Sequence, residues 1–495
     1  MAPRLGFFVA SALALCALAT GAAPPPSPPS PPHAAVLGGR LILKDSHKGP
    51  GAVRWSLLKA DGEAIRLPGR PTTETGEALD AGARISLSCR FVPGSRYACA
   101  AVSNVRVTKL AAPLVAAGVT LRTLTIVTSL SGSCTRAGAS VAAVQTALLG
   151  PDGFAAFFRN CSYGNMLIDT KRSKAPILAC NEDALATVAT RAARAKLGKG
   201  ALDEYTHLSF VLPRGMLGAC GWLGFAELPG SRTWFSADTE KKTGWKGIFS
   251  KGTYMQELLH NFGLYHGWAN GIEYNDLTTS MGSADVCPSA PELSRLGWAR
   301  PVAELAAASL PAGEVREFSL PPTYLSDVNH LRIQTDWLGD DYNKNVFVAL
   351  RVARGGDVEL GPKFDRKVSV HEIGRRIDNS FRAQGDPRVS VIGAIGEGQY
   401  TVFQDYSLVV RTEHLNPDAT LATVGLCRYA ASPAECAPLL RGAATPEAPP
   451  EAMEPPLYPP IGDYAPPPVD MPPFGDYAPP PYDEPPVDYW PPPPY

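Results

Sequence analysis

Along the middle of the chain the spacing of apolar positions changes period several times, and each change predicts an element. Residues 121–128 place Leu121, Leu124, Ile126 and Val127 among threonines and predict a strand. Residues 137–149 carry small and aliphatic side chains at helical spacing, residues 184–196 are alanine-rich with few breakers, and residues 207–212 are a compact apolar run. In turn these predict helix, helix and central strand. Strand and helix signals in alternation imply an α/β domain over residues 118–300. Before it, residues 36–117 hold short apolar stretches, at 40–43 and 83–88, between glycine and proline turns, which predicts a small β-rich unit placed like a pro-region. After it, residues 301–443 alternate at period two, clearest at 346–352 and 406–410, and predict a β-sandwich-like domain without a helix.

The two ends break this pattern. Most of the 49 prolines crowd there. Residues 23–35 read as a polyproline II spacer. Residues 444–495 read as a disordered Pro/Tyr-rich tail that repeats Gly-Asp-Tyr-Ala-Pro-Pro-Pro from Gly462 and again from Gly475. Residues 1–22 join Arg4 to an apolar run from Phe7 to Ala19 and end in small residues, a secretory signal pattern. No later segment supplies roughly 20 consecutive apolar residues, so no transmembrane segment is expected, and the mature chain should be secreted, in an extracellular matrix, cell wall or periplasmic space. With 46 basic and 47 acidic residues the net charge is -1, which argues against nucleic acid as a partner.

An oxidising compartment gives the cysteines a role. Once Cys16 leaves with the signal, nine remain. Cys427 and Cys436 are close enough for a local loop, and Cys89 with Cys99 is read as a disulfide, the alternative being a free pro-region thiolate that caps a metal and keeps an enzyme latent as a zymogen. An odd number leaves at least one thiol over. Asn160-Cys161-Ser162 is a glycosylation sequon, with Asn160 as the acceptor.

The chemistry concentrates in Gln256-Glu257-Leu258-Leu259-His260-Asn261-Phe262-Gly263-Leu264-Tyr265-His266. On a helix, Gln256 and His260 share a face with Glu257 beside them. Gly263 can take the left-handed conformation that ends the helix and turns the chain, so that His266 becomes a third ligand. A zinc ion held by three neutral donors lowers the pKa of its water from about 15.7 toward about 7, and Glu257 is placed to act as general base. With 8 His and 46 Gly in 495 residues, His-x-x-Gly-x-x-His should arise by chance about 0.01 times, so coincidence explains it poorly. Downstream, Asp276-Leu277-Thr278-Thr279-Ser280-Met281-Gly282 stands where long-motif zincins place a tight turn with a methionine under the metal, here Met281.

These residues resemble the gametolysin peptidases of green algae, within the metzincins. The resemblance is carried also by Asn160-Cys161-Ser162-Tyr163-Gly164, Ala290-Pro291-Glu292-Leu293, Leu296-Gly297-Trp298, Val370-His371-Glu372 and residues 377–382, and spans about 120–440. It implies an α/β zincin-type (metzincin-like) catalytic domain whose metal ligands are Gln256, His260 and His266, with Glu257 catalytic. The ion it implies is zinc, with copper in some relatives, and a calcium requirement is left open. The implied function is extracellular hydrolysis of proline- and hydroxyproline-rich cell-wall glycoproteins. Gln256 stands where the general zincin motif has histidine, and an amide oxygen is the weaker zinc donor. A catalytically silent wall protein that uses its β-domain and tail for binding is the alternative. His371 and Glu372 are read as a surface pair.

Overall fold

The computed structural model describes residues 34–45, 53–111, 116–129, 137–169, 182–198, 200–215, 217, 222–239, 246–379 and 388–444. The expected signal peptide, nearly all of the proline spacer, the repeat-bearing tail, and Cys134, Cys180 and Cys220 lie outside them.

The first unit is an antiparallel sheet of β1 (Ala35–Asp45), β2 (Val53–Leu58), β3 (Ala64–Arg66), β4 (Arg84–Phe91) and β5 (Cys99–Lys109), in the order β3-β2-β1-β4-β5. Period-two alternation in β4 turns Ile85, Leu87 and Cys89 inward onto Leu41, Leu57 and Ile65. Cys89 and Cys99 are joined, so neither is the free thiol a latency cap would need.

The second unit pairs β6 (Val119–Leu121) with β8 (Met166–Ile168), and builds a mixed sheet from β7 (Thr123–Val127), β9 (His207–Val211), β10 (Gly224–Ala226) and β11 (Arg232–Phe235). Its order is β10-β11-β9-β7, with β10 the antiparallel edge. Alternation sends Phe210 and Trp234 to one face, against Ala186, Ala189 and Ala193 of α3 (Glu182–Leu197). Val211 and Phe235 go to the other face, against α1 (Val141–Leu149), α2 (Phe154–Cys161) and α4 (Lys251–His260). The stretch Val141–Cys161 has the length and mean hydropathy, 1.3 over an 18-residue window, of a membrane span. Gly153, the N-cap of α2, nevertheless separates it into two helices that bury Leu148, Phe157 and Phe158 in this core.

The third unit is two facing sheets. One consists of β12 (Gly267–Ala269), β13 (Ile272–Glu273), β14 (Arg300–Leu305), β16 (Val328–Gln334), β17 (Lys344–Arg351), β18 (Lys367–Gly374) and β19 (Val389–Ile395), ordered β13-β12-β19-β18-β17-β16-β14. The other consists of β15 (Arg316–Leu320), β20 (Gln399–Phe403), β21 (Leu408–Leu415), β22 (Ala422–Arg428) and β23 (Ala443–Ala444), ordered β15-β22-β21-β20-β23. Leu331, Val346 and Val348 meet Val410, Val424 and Leu426 in the shared core, the packing of a sandwich. Two short α-helices, α5 (Ala290–Arg295) and α6 (Arg375–Asn379), lie beside these sheets. The expectation of no helix past residue 301 fails at α6, whose five residues are too few to show a helical period.

The boundary expected at residue 300 is crossed by strands. Residues 267–273 belong to the C-terminal sheet, β12 pairing in parallel with β19 through Gly267 opposite Val389 and Ala269 opposite Val391. Nearby, Arg351 and Asp357 form a fully buried ion pair at 2.7 Å, and Asp357 also accepts the Cys287 backbone N–H at 2.9 Å. Cys287 in turn is bonded to Cys161 of α2, 126 residues away in sequence. Cys427 and Cys436 are joined as expected.

Two buried histidines couple this fold to pH. Burial, the largest cause in each case, lowers the pKa of His207 and of His330 to about 4. The unfolded chain takes up these protons near pH 6.5 while the native chain does so only near pH 4, so their contribution is complete above about pH 6.5 and lost as pH falls through that window. The loss approaches about 3 kcal/mol for each histidine. The thermal midpoint of a His207→Leu, His330→Leu variant should therefore fall less between pH 6.5 and 4.5 than that of the wild type. Equal slopes would exclude the histidines as the cause.

Candidate metal centre

Helix α4 begins at Ser250, whose hydroxyl accepts the Thr253 N–H at 3.1 Å, and the Asp285 carboxylate accepts the Gly252 N–H at 2.6 Å. Both satisfy donors that a helix start leaves open, and the carboxylate complements the helix dipole. The helix ends at His260, and three residues on stands Gly263, with φ +83°, whose N–H donates to the His260 carbonyl at 2.9 Å. That left-handed residue turns the chain back, and His266 returns to His260 with their Nε2 atoms 3.0 Å apart.

The hydrogen bonds on the far side of each ring settle the tautomers. Nδ1 of His260 lies 2.7 Å from the Leu264 carbonyl, which only accepts, and Nδ1 of His266 lies 2.7 Å from Oε1 of Glu273. Each Nδ1 therefore carries the proton and each Nε2 presents a lone pair. Burial, then the neighbouring His260, holds the pKa of His266 well below the usual imidazole range, which keeps it neutral. Burial raises the pKa of Glu273, against an opposing pull from His260. Two acceptor nitrogens at 3.0 Å repel unless a positive charge or a donor lies close: the Tyr274 hydroxyl stands 3.0 Å from Nε2 of His266, and a divalent ion would serve both nitrogens. Two neutral imidazole nitrogens brought this close are a donor pair that would suit a zinc ion.

Gln256 is buried on the same helix and donates from Nε2 to the Met281 carbonyl at 3.3 Å, which commits its amide nitrogen and leaves Oε1 as the atom able to bind a cation. The same carbonyl accepts the Gly267 N–H at 2.7 Å. The turn at Met281, fully buried beside Leu258 and Leu259, thus ties the helical amide to the segment that follows His266. Among the described residues no group of three or more His, Cys, Asp or Glu side chains could hold a metal. The three expected ligands are two imidazoles and an amide, and their chemistry fits a divalent ion. Glu257 is buried next to the edge strand, where a Cβ on Gly224 would overlap its carboxylate, so only glycine leaves it room at that position.

Glu273 was not expected from sequence. It is delivered by the β12–β13 hairpin, whose two turn residues, Asn270 at φ +56° and Gly271 at φ +72°, adopt the left-handed backbone that two-residue hairpins require. The Asn-Gly pair was the available signal. A carboxylate on the outer nitrogen of a ligating histidine fixes its tautomer, so Glu273→Gln should weaken zinc binding about 10–100-fold in a calorimetric titration of metal-free protein. An unchanged affinity would remove that role.

His371 is not on the surface. It is fully buried in β18, with Nε2 3.2 Å from Oδ2 of Asp276 and 3.1 Å from the Thr278 hydroxyl. The turn that carries Met281 is therefore held from the C-terminal sheet. The misreading has a physical cause: His371 belongs to a strand buried on both faces, and its partner lies 95 residues earlier in the chain. Asn160, the sequon asparagine, is exposed at the end of α2.

The family described as Gametolysin peptidase M11 matches residues 122–405, more than half of the chain. The protein named Autolysin, from Chlamydomonas reinhardtii, is 33% identical over 101 residues, which cover 19% of this chain and only 15% of that protein. Among solved structures, one titled "Structure of a chaperone-substrate complex" is 12% identical and overlaps 48% of this chain and 38% of its own, at a TM-score of 0.20 that carries no weight for the fold.

Proposed function

The chain belongs to the gametolysin M11 family, whose members are metallopeptidases, and on that premise we propose that it is a secreted zinc endopeptidase acting on proline- and hydroxyproline-rich glycoproteins of a cell wall or extracellular matrix. The observation that carries the reading is the approach of Nε2 of His266 to within 3.0 Å of Nε2 of His260, on the helix that also bears Gln256 and Glu257. The mixed sheet with its antiparallel edge strand beside Glu257, and the buried turn at Met281, support the metzincin-like reading of the second unit. The name of the algal relative, Autolysin, supports a lytic activity. Exposure of Asn160 suits a glycan there, and the disulfides suit an oxidising, extracellular location.

In this reading His260 and His266 would hold the ion through Nε2 and Gln256 through Oε1. When bound, zinc supplies Lewis acidity to the substrate carbonyl and makes water more acidic. Glu257 takes a proton from the attacking water as its oxygen bonds to the carbonyl carbon, and returns that proton to the amine nitrogen as the C–N bond breaks. Glu273 keeps His266 in the tautomer that leaves Nε2 available. The surrounding core, with Met255, Leu258 and Leu259 fully buried, excludes water from beneath the helix.

The test uses purified mature protein and two substrates, an unfolded casein and a hydroxyproline-rich wall glycoprotein. We expect about one zinc per chain, cleavage of the wall protein, loss of cleavage with a chelator and recovery with added zinc. A protein that holds zinc and cleaves neither substrate would instead be the silent wall-binding relative.

A further inference from the structure

Tyr274 follows the hairpin that delivers Glu273. Its backbone sits in the left-handed region at φ +64°, a conformation that a bulky residue adopts only where its surroundings hold it. Two contacts do so: the Ser283 hydroxyl donates to the Tyr274 carbonyl at 2.7 Å, and the tyrosine ring lies on His266 with centroids 4.1 Å apart. The outcome is a phenol hydroxyl 3.0 Å from Nε2 of His266. Because Nδ1 of that ring is committed to Glu273, Nε2 is the acceptor and Tyr274 the donor. A single short hairpin thus addresses both nitrogens of one histidine, one with a carboxylate and the other with a hydroxyl.

We propose that Tyr274 is a further catalytic residue of the hydrolysis, its hydroxyl donating a hydrogen bond to the scissile carbonyl oxygen as that oxygen takes on negative charge. The inference rests on the endopeptidase reading above. It follows from where the donor is aimed: the Nε2 it meets is the one the ion would use, so the hydroxyl stands beside the place where a substrate carbonyl would be polarised. An oxyanion polarised by an ion on that nitrogen would arise near the hydroxyl and would be the strongest acceptor formed in the reaction. Tyr274 keeps its proton throughout, so nothing else is consumed. The strained backbone has a use in this account, since it fixes the donor before substrate arrives.

The experiment compares wild type with Tyr274→Phe, which keeps the ring on His266 and removes only the hydroxyl. Zinc affinity of the metal-free variant, by calorimetry, should stay within about threefold of wild type or tighten, because a competitor for the lone pair is gone. KM should hold within about threefold while kcat falls about 10²–10³-fold, as when one oxyanion donor is removed. Affinity for a peptide phosphonamidate, a tetrahedral mimic of the reacting carbonyl, should fall in step with kcat, and affinity for a cleaved product peptide should not change. If the variant holds zinc normally and retains kcat and phosphonamidate affinity, the inference is overturned and the endopeptidase reading stands. A variant that weakens zinc and substrate binding alike has lost a structural support, which also overturns it. If zinc-loaded wild type neither cleaves protein nor binds the phosphonamidate, the endopeptidase reading falls and takes this inference with it.

Discussion

Replacing Glu257 by Gln is expected to lower kcat about 10²–10⁴-fold while zinc stoichiometry and KM stay close to wild type. Gln keeps the shape of the buried side chain and its packing against Gly224, so what is lost is the ability to accept and return a proton. Stopped-time digestion of a wall glycoprotein and metal analysis of the same preparation check both halves of the expectation. Wild-type activity in Glu257→Gln would assign the proton transfer to another group. Loss of zinc together with activity would make Glu257 a support of the site instead of its base.

A second large effect is expected far from the ion. Asp357→Ala should destabilise the protein by about 3–5 kcal/mol, because it leaves the Arg351 guanidinium fully buried without its carboxylate and strips the Cys287 N–H of its acceptor. Arg351 also donates to the Cys287 carbonyl at 3.3 Å, and Thr323 donates to the other Asp357 oxygen at 3.2 Å, so the pair sits inside a larger polar network. Thermal unfolding of the purified variant measures the effect. Joint replacement of Arg351 and Asp357 by apolar residues of similar volume should recover much of the loss, since the cost lies in the stranded charge and not in the missing attraction. A single variant as stable as wild type would show that water reaches the pair. The consequence for activity is indirect: Cys287 follows the Met281 turn and is bonded to α2, so loosening this junction should loosen the wall behind the metal centre.

How the site was read from sequence, and how much of it was missed, follows from the range over which each signal acts. Gln256, Glu257 and His260 lie within one turn of a single helix, and Gly263 and His266 lie within six residues of its end, so rules of spacing suffice to bring them together. Of the second unit, β7, α1, α3 and β9 were legible for the same reason, their periods repeating over five to sixteen residues, whereas α2 and the short strands β6, β8, β10 and β11 were not predicted. Disulfide pairing was legible at Cys427–Cys436 and Cys89–Cys99, nine and ten residues apart, and not at Cys161–Cys287.

Tertiary structure alone decided the rest. It placed Glu273 and Tyr274 on the two nitrogens of His266 through a hairpin whose existence depends on β12 finding β19, more than a hundred residues later. It buried His371 against Asp276, and it brought Gly224 of the edge strand against Glu257. Single charged or aromatic residues of this kind have no period and no local partner, so their roles exist only once the chain has closed its long loops. The sequence by itself determined which residues can hold an ion, because a helix makes neighbours of positions four apart; which residues orient and assist them was decided by contacts that local spacing does not encode.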